Sequence, residues 1–263
     1  MAYRTDGSSH RTGVKSEIEL QRLMQESRKM ASEICGTNLE EGGYEVVAKG
    51  GTQFKEDLTV QTEDKRINIS HKKKKKLSTG SFDWLNTTKD VPQSEKLKSL
   101  ARKLRDSNCS VRRARSVFNE ACNQTLNNLS SDDIKKIIHD NVISKYDNID
   151  RITIKVEDKN IIYSFPPDAI PFFEAVRNPD VSIKTAGRGK TSRRLQFISR
   201  DGQELLDYGL RIRLTTNNGI TAMLGKSKKN KYSSPVIKLQ QDKVHKLVES
   251  MSSIVKLTEL KEN

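Results

Sequence analysis

Cysteine is scarce in this chain. Cys35, Cys109 and Cys122 are an odd number, widely spaced and without a Cys-x-x-Cys pair. That spacing supports neither a disulfide framework nor a zinc site, and it points to a reducing cytoplasm. Long apolar runs are lacking too. No stretch approaches the 18 residues of a membrane span, so no membrane partner is expected. The opening MAYRTDGSSHRTG has no apolar core of a secretory signal. The four histidines (His10, His71, His139, His245) are far apart, and GxSxG, P-loop, HExxH and GxGxxG motifs are absent. Gly187-Arg188-Gly189-Lys190-Thr191 ends like a phosphate loop, but Lys184 stands where its first glycine belongs. It reads as a flexible basic turn.

Acid is in deficit. Against 48 Lys and Arg stand 34 Asp and Glu, a net charge of +14 over 263 residues. Hydrophobic residues make up only 33%, yet Ile, Leu and Val recur along the whole length, which argues against global disorder. The length suits one large domain or two small ones.

Residues 13–34 show helical periodicity, with Val14, Ile18, Met24, Ala31 and Ile34 near one stripe. Three extended segments follow: Tyr44–Ala48, Leu58–Gln61 and the alternating Ile67–Lys72. Residues 94–145 are helical in composition, with a Ser130/Ser131 cap and an acidic first turn. Beyond residue 150 strands dominate, Asn217-Asn218-Gly219 reads as a hairpin turn, and Gln241–Leu260 reads as a helix that either dimerises or completes the core. The layout predicts an α/β (α+β) protein, with a boundary near Asp147–Asp150: an N-terminal region of residues 1–148 and a basic, strand-rich region of residues 149–263 with a C-terminal helix.

The positive charge falls in two zones. Lys72–Arg115 holds fourteen basic residues against four acidic ones, and Arg177–Lys238 the same. Single charge runs are often mere solvated faces. Two large zones of like sign repel unless a polyanion offsets them, which favours nucleic acid. In the second zone, charges alternate with apolar residues, as in Arg211-Ile212-Arg213-Leu214. On a strand this aims arginines at one face. Candidate DNA contacts are Lys73, Lys74, Lys75, Arg188, Lys190, Arg193, Arg194, Arg211 and Arg213.

One constellation can carry chemistry. Lys55-Glu56-Asp57 opens one strand, and Ser70-His71-Lys72 closes the next on its polar side. Thirteen residues separate Asp57 from Ser70, the reach of one hairpin, so Asp57 and Lys72 should meet at a sheet edge. An aspartate can anchor a hard divalent cation. A lysine beside it can orient water or stabilise charge on phosphorus. The apolar face of the strand claims His71, which is expected to be packed. Downstream, Phe82 and Trp84, the only tryptophan, either anchor a loop in the core or approach a substrate.

At these residues the chain resembles the PD-(D/E)XK nuclease superfamily, which includes many type II restriction enzymes. The Gly50-Gly51…Asp57 stretch is similar to the first half of its motif and Ser70-x-Lys72 to the second, over roughly residues 11–90. The resemblance implies a restriction-endonuclease-like mixed sheet flanked by helices in residues 1–148, and Mg²⁺-dependent hydrolysis of double-stranded DNA by a restriction- or phage-type enzyme in a prokaryotic or phage-infected cytoplasm. It implies catalytic roles for Asp57, Lys72, Glu17 and Ser70, with Asp57, Glu17 and the backbone carbonyl of His71 near the metal. Glu17 shares the stripe of Val14 and Ile18, so it is expected to point inward. Ser70 departs from the pattern by standing where a second acid is usual, which removes a metal ligand. The rival readings are a non-catalytic nucleic-acid-binding protein, regulatory or packaging, and a phage structural protein.

Overall fold

The computed structural model describes residues 8–39, 42–49, 56–77, 81–85, 94–228, 233–242, 244–249, 251 and 255–258. The chain divides into two compact units, each discontinuous in sequence. Unit 1 comprises residues 1–80, 145–171 and 247–263, and unit 2 comprises residues 81–144 and 172–246. Both are mixtures of helix and sheet. No helix among the described residues is long and apolar enough to cross a membrane.

Unit 1 starts with α1 (Ser8–Glu26) and α2 (Arg28–Cys35). The expected single helix is broken at Ser27, which adopts extended backbone and caps α2 by accepting from Met30 N–H. The meander follows as β1 (Tyr44–Ala48), β2 (Leu58–Thr62) and β3 (Arg66–Lys74). The alternation seen in the sequence sets its register: Val60 faces Ile67 and Leu58 faces Ile69. The sheet is then completed from distant sequence. β5 (Arg151–Val156) pairs parallel to β3, β6 (Ile161–Phe165) pairs antiparallel to β5, and β11 (Val255–Thr258) pairs with β6. The order is β1-β2-β3-β5-β6-β11. Leu20, Met24, Ala31 and Ile34 of the helices pack with Val46, Leu58, Val60, Ile67 and Ile69 of the sheet.

This topology replaces the expected break near residue 148. Among the described residues, the two strands within 149–171 find their ladder partners in unit 1, so they do not belong to a separate C-terminal region. The expected helix over 241–260 is also corrected. The chain there completes β10 (Pro235–Asp242), forms the short α8 (Val244–Glu249), and then contributes β11. Its apolar residues serve short elements, a case that periodicity alone cannot separate from one long helix.

Unit 2 contains α3 (Ser94–Asp106), α4 (Val111–Asn127), α5 (Ser131–Asn141), α6 (Pro171–Arg177), α7 (Ile220–Met223) and an antiparallel sheet. The strands are β4 (Ser81–Leu85), β7 (Ser182–Ala186), β8 (Ser192–Ile198), β9 (Leu210–Thr216) and β10 (Pro235–Asp242), in the order β4-β10-β9-β8-β7. The Ser130 cap is present, with Asp133 completing a capping box. Trp84 resolves to the core reading. It is buried on β4, stacks edge-on against Phe172 and Phe173, and donates its indole N–H to Gln241. Asn217-Asn218-Gly219 leads into α7 rather than directly into a hairpin strand. Asn217 Oδ1 is taken by Ser234 N–H and the Ser233 hydroxyl, which fixes a longer connection.

Gly36 ends α2 in the left-handed region, at φ 63°. A Cβ there would fall on the guanidinium of Arg151, whose Nε donates to the Cys35 carbonyl and so ties α2 to β5. Gly36→Ala is therefore expected to lower stability by about 1–2 kcal/mol from the backbone alone, with more from displacing Arg151. Urea unfolding of Gly36→Ala, Arg151→Ala and the double variant would show non-additivity, because both changes break the same bond.

Candidate active site and basic surfaces

Asp57 immediately precedes β2, held on both sides by the backbone: its N–H donates to Ile69 C=O (2.8 Å) and its C=O accepts from Lys49 N–H (3.0 Å). Opposite it on β3 lie Ser70, His71 and Lys72. One carboxylate oxygen, Asp57 Oδ2, gathers three donors: the His71 backbone N–H at 2.6 Å, the Ser70 hydroxyl at 3.3 Å and the Lys72 ammonium at 3.5 Å. The Asp57 side chain is mostly covered, whereas about a third of the Lys72 side chain stays exposed. Asp57, Ser70 and Lys72 therefore meet as their spacing predicts. Ser70 is fully buried and its proton goes to Asp57. It acts as a donor to the carboxylate, where a second acid would repel it.

The neighbours add to this. Glu56 pairs with Lys49 at 3.2 Å, and its carboxyl is held below the usual range, first by its own backbone N–H and then by Lys49. Tyr146 is buried, and its phenol is pushed upward by that burial and further by the negative charge of Asp57. The sequence gives no signal for Tyr146, because its approach to Asp57 depends on the chain returning from residues 81–144.

Glu17 sits differently from the expectation. Ile18 is 54% exposed, and the buried stripe of α1 is Ser16, Leu20 and Met24. Residues four apart share a helix face, so the inward position goes to Ser16 and Glu17 is half-buried beside it. Ser16 meets His71, on the face of β3 opposite to Ser70 and Lys72, since side chains alternate along a strand. Among the described residues no three His, Cys, Asp or Glu gather in a metal-holding group. Gly50–Lys55 lies outside the described residues.

His71 is packed, as its apolar face predicts. Its Nε2 is 2.8 Å from Ser16 Oγ and its Nδ1 is 2.8 Å from Thr153 Oγ1 on β5. In the neutral ring one nitrogen donates and the other accepts, so both are engaged and the imidazole is no metal ligand. Burial, reinforced by the charges of Lys72, Lys155 and Lys73, pushes its pKa down to about 3. Lys155 is itself buried on this face and paired with Glu19 at 2.5 Å. Lys73 pairs with Glu157 at 2.7 Å, Lys74 is half-buried, and Lys75 is exposed.

In unit 2, Arg193 and Arg194 are consecutive on β8 and so point to opposite faces. Arg193 is the exception among the predicted surface arginines: it is buried and held by Asn123 and Asn127 of α4. Arg194, Arg211 and Arg213 lie on the other face. Arg188 and Lys190 are exposed in the β7–β8 turn, where Gly187 adopts φ 99°.

Below pH 6.5 the unfolded chain protonates His71, while the native ring stays neutral until about pH 3. Acid therefore favours unfolding across this window, by up to about 1.4 kcal/mol per pH unit. Above pH 6.5 both states are neutral and the contribution is flat. Urea midpoints of wild type and His71→Gln between pH 4 and 7 check this, with a shallower pH dependence expected in the variant.

Comparison of the chain with protein-family models, with curated proteins and with solved structures finds no match in any of the three.

Proposed function

We propose that the protein is a Mg²⁺-dependent endonuclease acting on double-stranded DNA, with its chemistry at Asp57 and Lys72. The observation that supports this reading best is the convergence of a mostly covered carboxylate and a partly exposed ammonium, 3.5 Å apart, at the β2–β3 hairpin. The net charge of +14 suits a polyanionic substrate.

The donor set bears on the metal. Asp57 Oδ2 is taken by three donors, which leaves Oδ1 as the carboxylate atom able to meet a cation. Mg²⁺ is commonly held by one or two carboxylates together with substrate phosphates and water. The residues fit an ion that arrives with the phosphodiester, with Asp57 as its protein ligand. When bound, such an ion neutralises charge on the phosphate and makes a water more acidic. The protein's own share is positional. The His71 N–H and Ser70 hydroxyl fix the carboxylate, and the Lys72 ammonium stands where it can donate to a phosphate oxygen as negative charge builds.

One observation favours a second reading, a nucleic-acid-binding protein without catalysis. Ser70 is buried and spent on Asp57, so it supplies no second ligand.

Supercoiled plasmid with Mg²⁺ separates the two. The nuclease reading expects cleavage by wild type, and a fall of about 100-fold or more in Asp57→Asn and Lys72→Ala, the scale for losing one preorganised charge-stabilising group. Salt-sensitive binding without cleavage by wild type selects the binding protein. Equal cleavage by all three proteins removes Asp57 and Lys72 from the chemistry.

A further inference from the structure

The outer face of the unit 2 sheet carries its charge unevenly. Arg194 is met by Glu204 at 3.1 Å and Asp207 at 3.5 Å, and Arg211 by Asp242 at 2.8 Å. One row differs. Ser192 on β8, Arg213 on β9 and Lys238 on β10 are direct neighbours across three strands. Arg213 is exposed and Lys238 half-exposed, and neither has a carboxylate partner among the described residues. Like charges directly opposite on adjacent strands are destabilising. Here two cations face each other while the neighbouring row is neutralised. The β7–β8 turn adds to the same end of the sheet: Leu214 N–H donates to Thr191 C=O, which brings Lys190 alongside β9.

From this we infer that Arg213 and Lys238, flanked by the Ser192 hydroxyl and Lys190, form a phosphate-binding row that holds the backbone of duplex DNA. The class of ligand follows from the face itself. Its described strand residues are mainly basic, amide and hydroxyl, with Ile198 and Val236 apolar and the carboxylates gathered on Arg194 and Arg211, while the aromatic rings Trp84, Phe197 and Tyr208 are on the buried side of the sheet or packed against it. Proteins that take single strands stack bases on exposed aromatic rings. A cationic face without them grips phosphates and leaves the bases paired. The inference deepens the DNA reading above and does not depend on chemistry at Asp57. Lys238 enters as a residue that sequence pattern alone leaves unremarked.

The test uses the full chain in EDTA, so that binding is read without cleavage. Fluorescence anisotropy with a 30-bp duplex and with one of its single strands is followed from 50 to 300 mM KCl. Each lost phosphate contact should make the plot of log binding constant against log salt shallower by about 0.9. Arg213→Gln and Lys238→Gln are each expected to do this, and the double variant to change the slope by about 1.8, with duplex bound tighter than single strand. Arg211→Gln, already neutralised by Asp242, serves as control and should change it less. Thermal melts should show the double variant at least as stable as wild type, because a repulsion is removed. An unchanged slope in the double variant, an equal loss in Arg211→Gln, tighter binding of the single strand, or no duplex binding by wild type would each overturn the inference. None of these results depends on whether plasmid is cleaved.

Discussion

The parallel ladder between β3 and β5 is the constraint on which unit 1 depends. It joins Ile69 to Arg151 and continues through Lys74 and Val156. Side chains reinforce it at both levels. Asp150 accepts from Asn68 N–H at 2.7 Å, and Thr153 meets the His71 ring. The strand that carries Ser70 and Lys72 is therefore central, with β2 on one side and β5 on the other. β2 pairs with its Arg66–Ile69 half and β5 with Ile69–Lys74, so Ser70, His71 and Lys72 are held by the β5 ladder, and beyond the end of β2 the Asp57 carboxylate takes the His71 N–H. The His71 N–H that meets Asp57 belongs to a residue whose ring is gripped from α1 and from β5 together.

Charge balance around this strand is equally ordered. Lys72 answers Asp57, Lys73 answers Glu157, and the buried Lys155 answers Glu19. Three lysines within one short stretch of sheet would repel strongly if left alone. Each is offset by a carboxylate, and of the three Lys72 keeps the largest exposed share of its side chain. His71, in their midst, stays neutral chiefly because its ring is buried away from water, and secondly because a further positive charge would sit among these lysines.

Much of this was legible in the sequence where period and spacing act locally. Alternation placed the three meander strands and brought Asp57 to Ser70 and Lys72, because a hairpin converts sequence distance directly into contact. The signals failed where distance in sequence hid a partner. The buried stripe of α1 runs through Ser16, a polar residue, because it meets a buried imidazole 55 residues away. Apolar periodicity alone therefore points to Ile18 and turns Glu17 inward. Arg193 is buried because Asn123 and Asn127 wait on α4, a pairing no strand pattern reveals. The C-terminal elements are not legible from periodicity because their apolar residues serve three short pieces. The division into units is hidden from the sequence because β5 and β6 complete a sheet begun before residue 75.

The discontinuity of unit 1 has a consequence during synthesis. When β3 leaves the ribosome, its ladder partner β5 lies beyond residues 75–150, several seconds away at about 5–20 residues per second. Through that interval β3 is an open edge, and open edges invite pairing with other chains. Lysine on an edge strand is a recognised guard against such pairing, and β3 ends in Lys72, Lys73 and Lys74, followed at once by Lys75 and Lys76. The lysine run that marks a candidate site in the finished protein thus also shields the nascent chain while its sheet is half built.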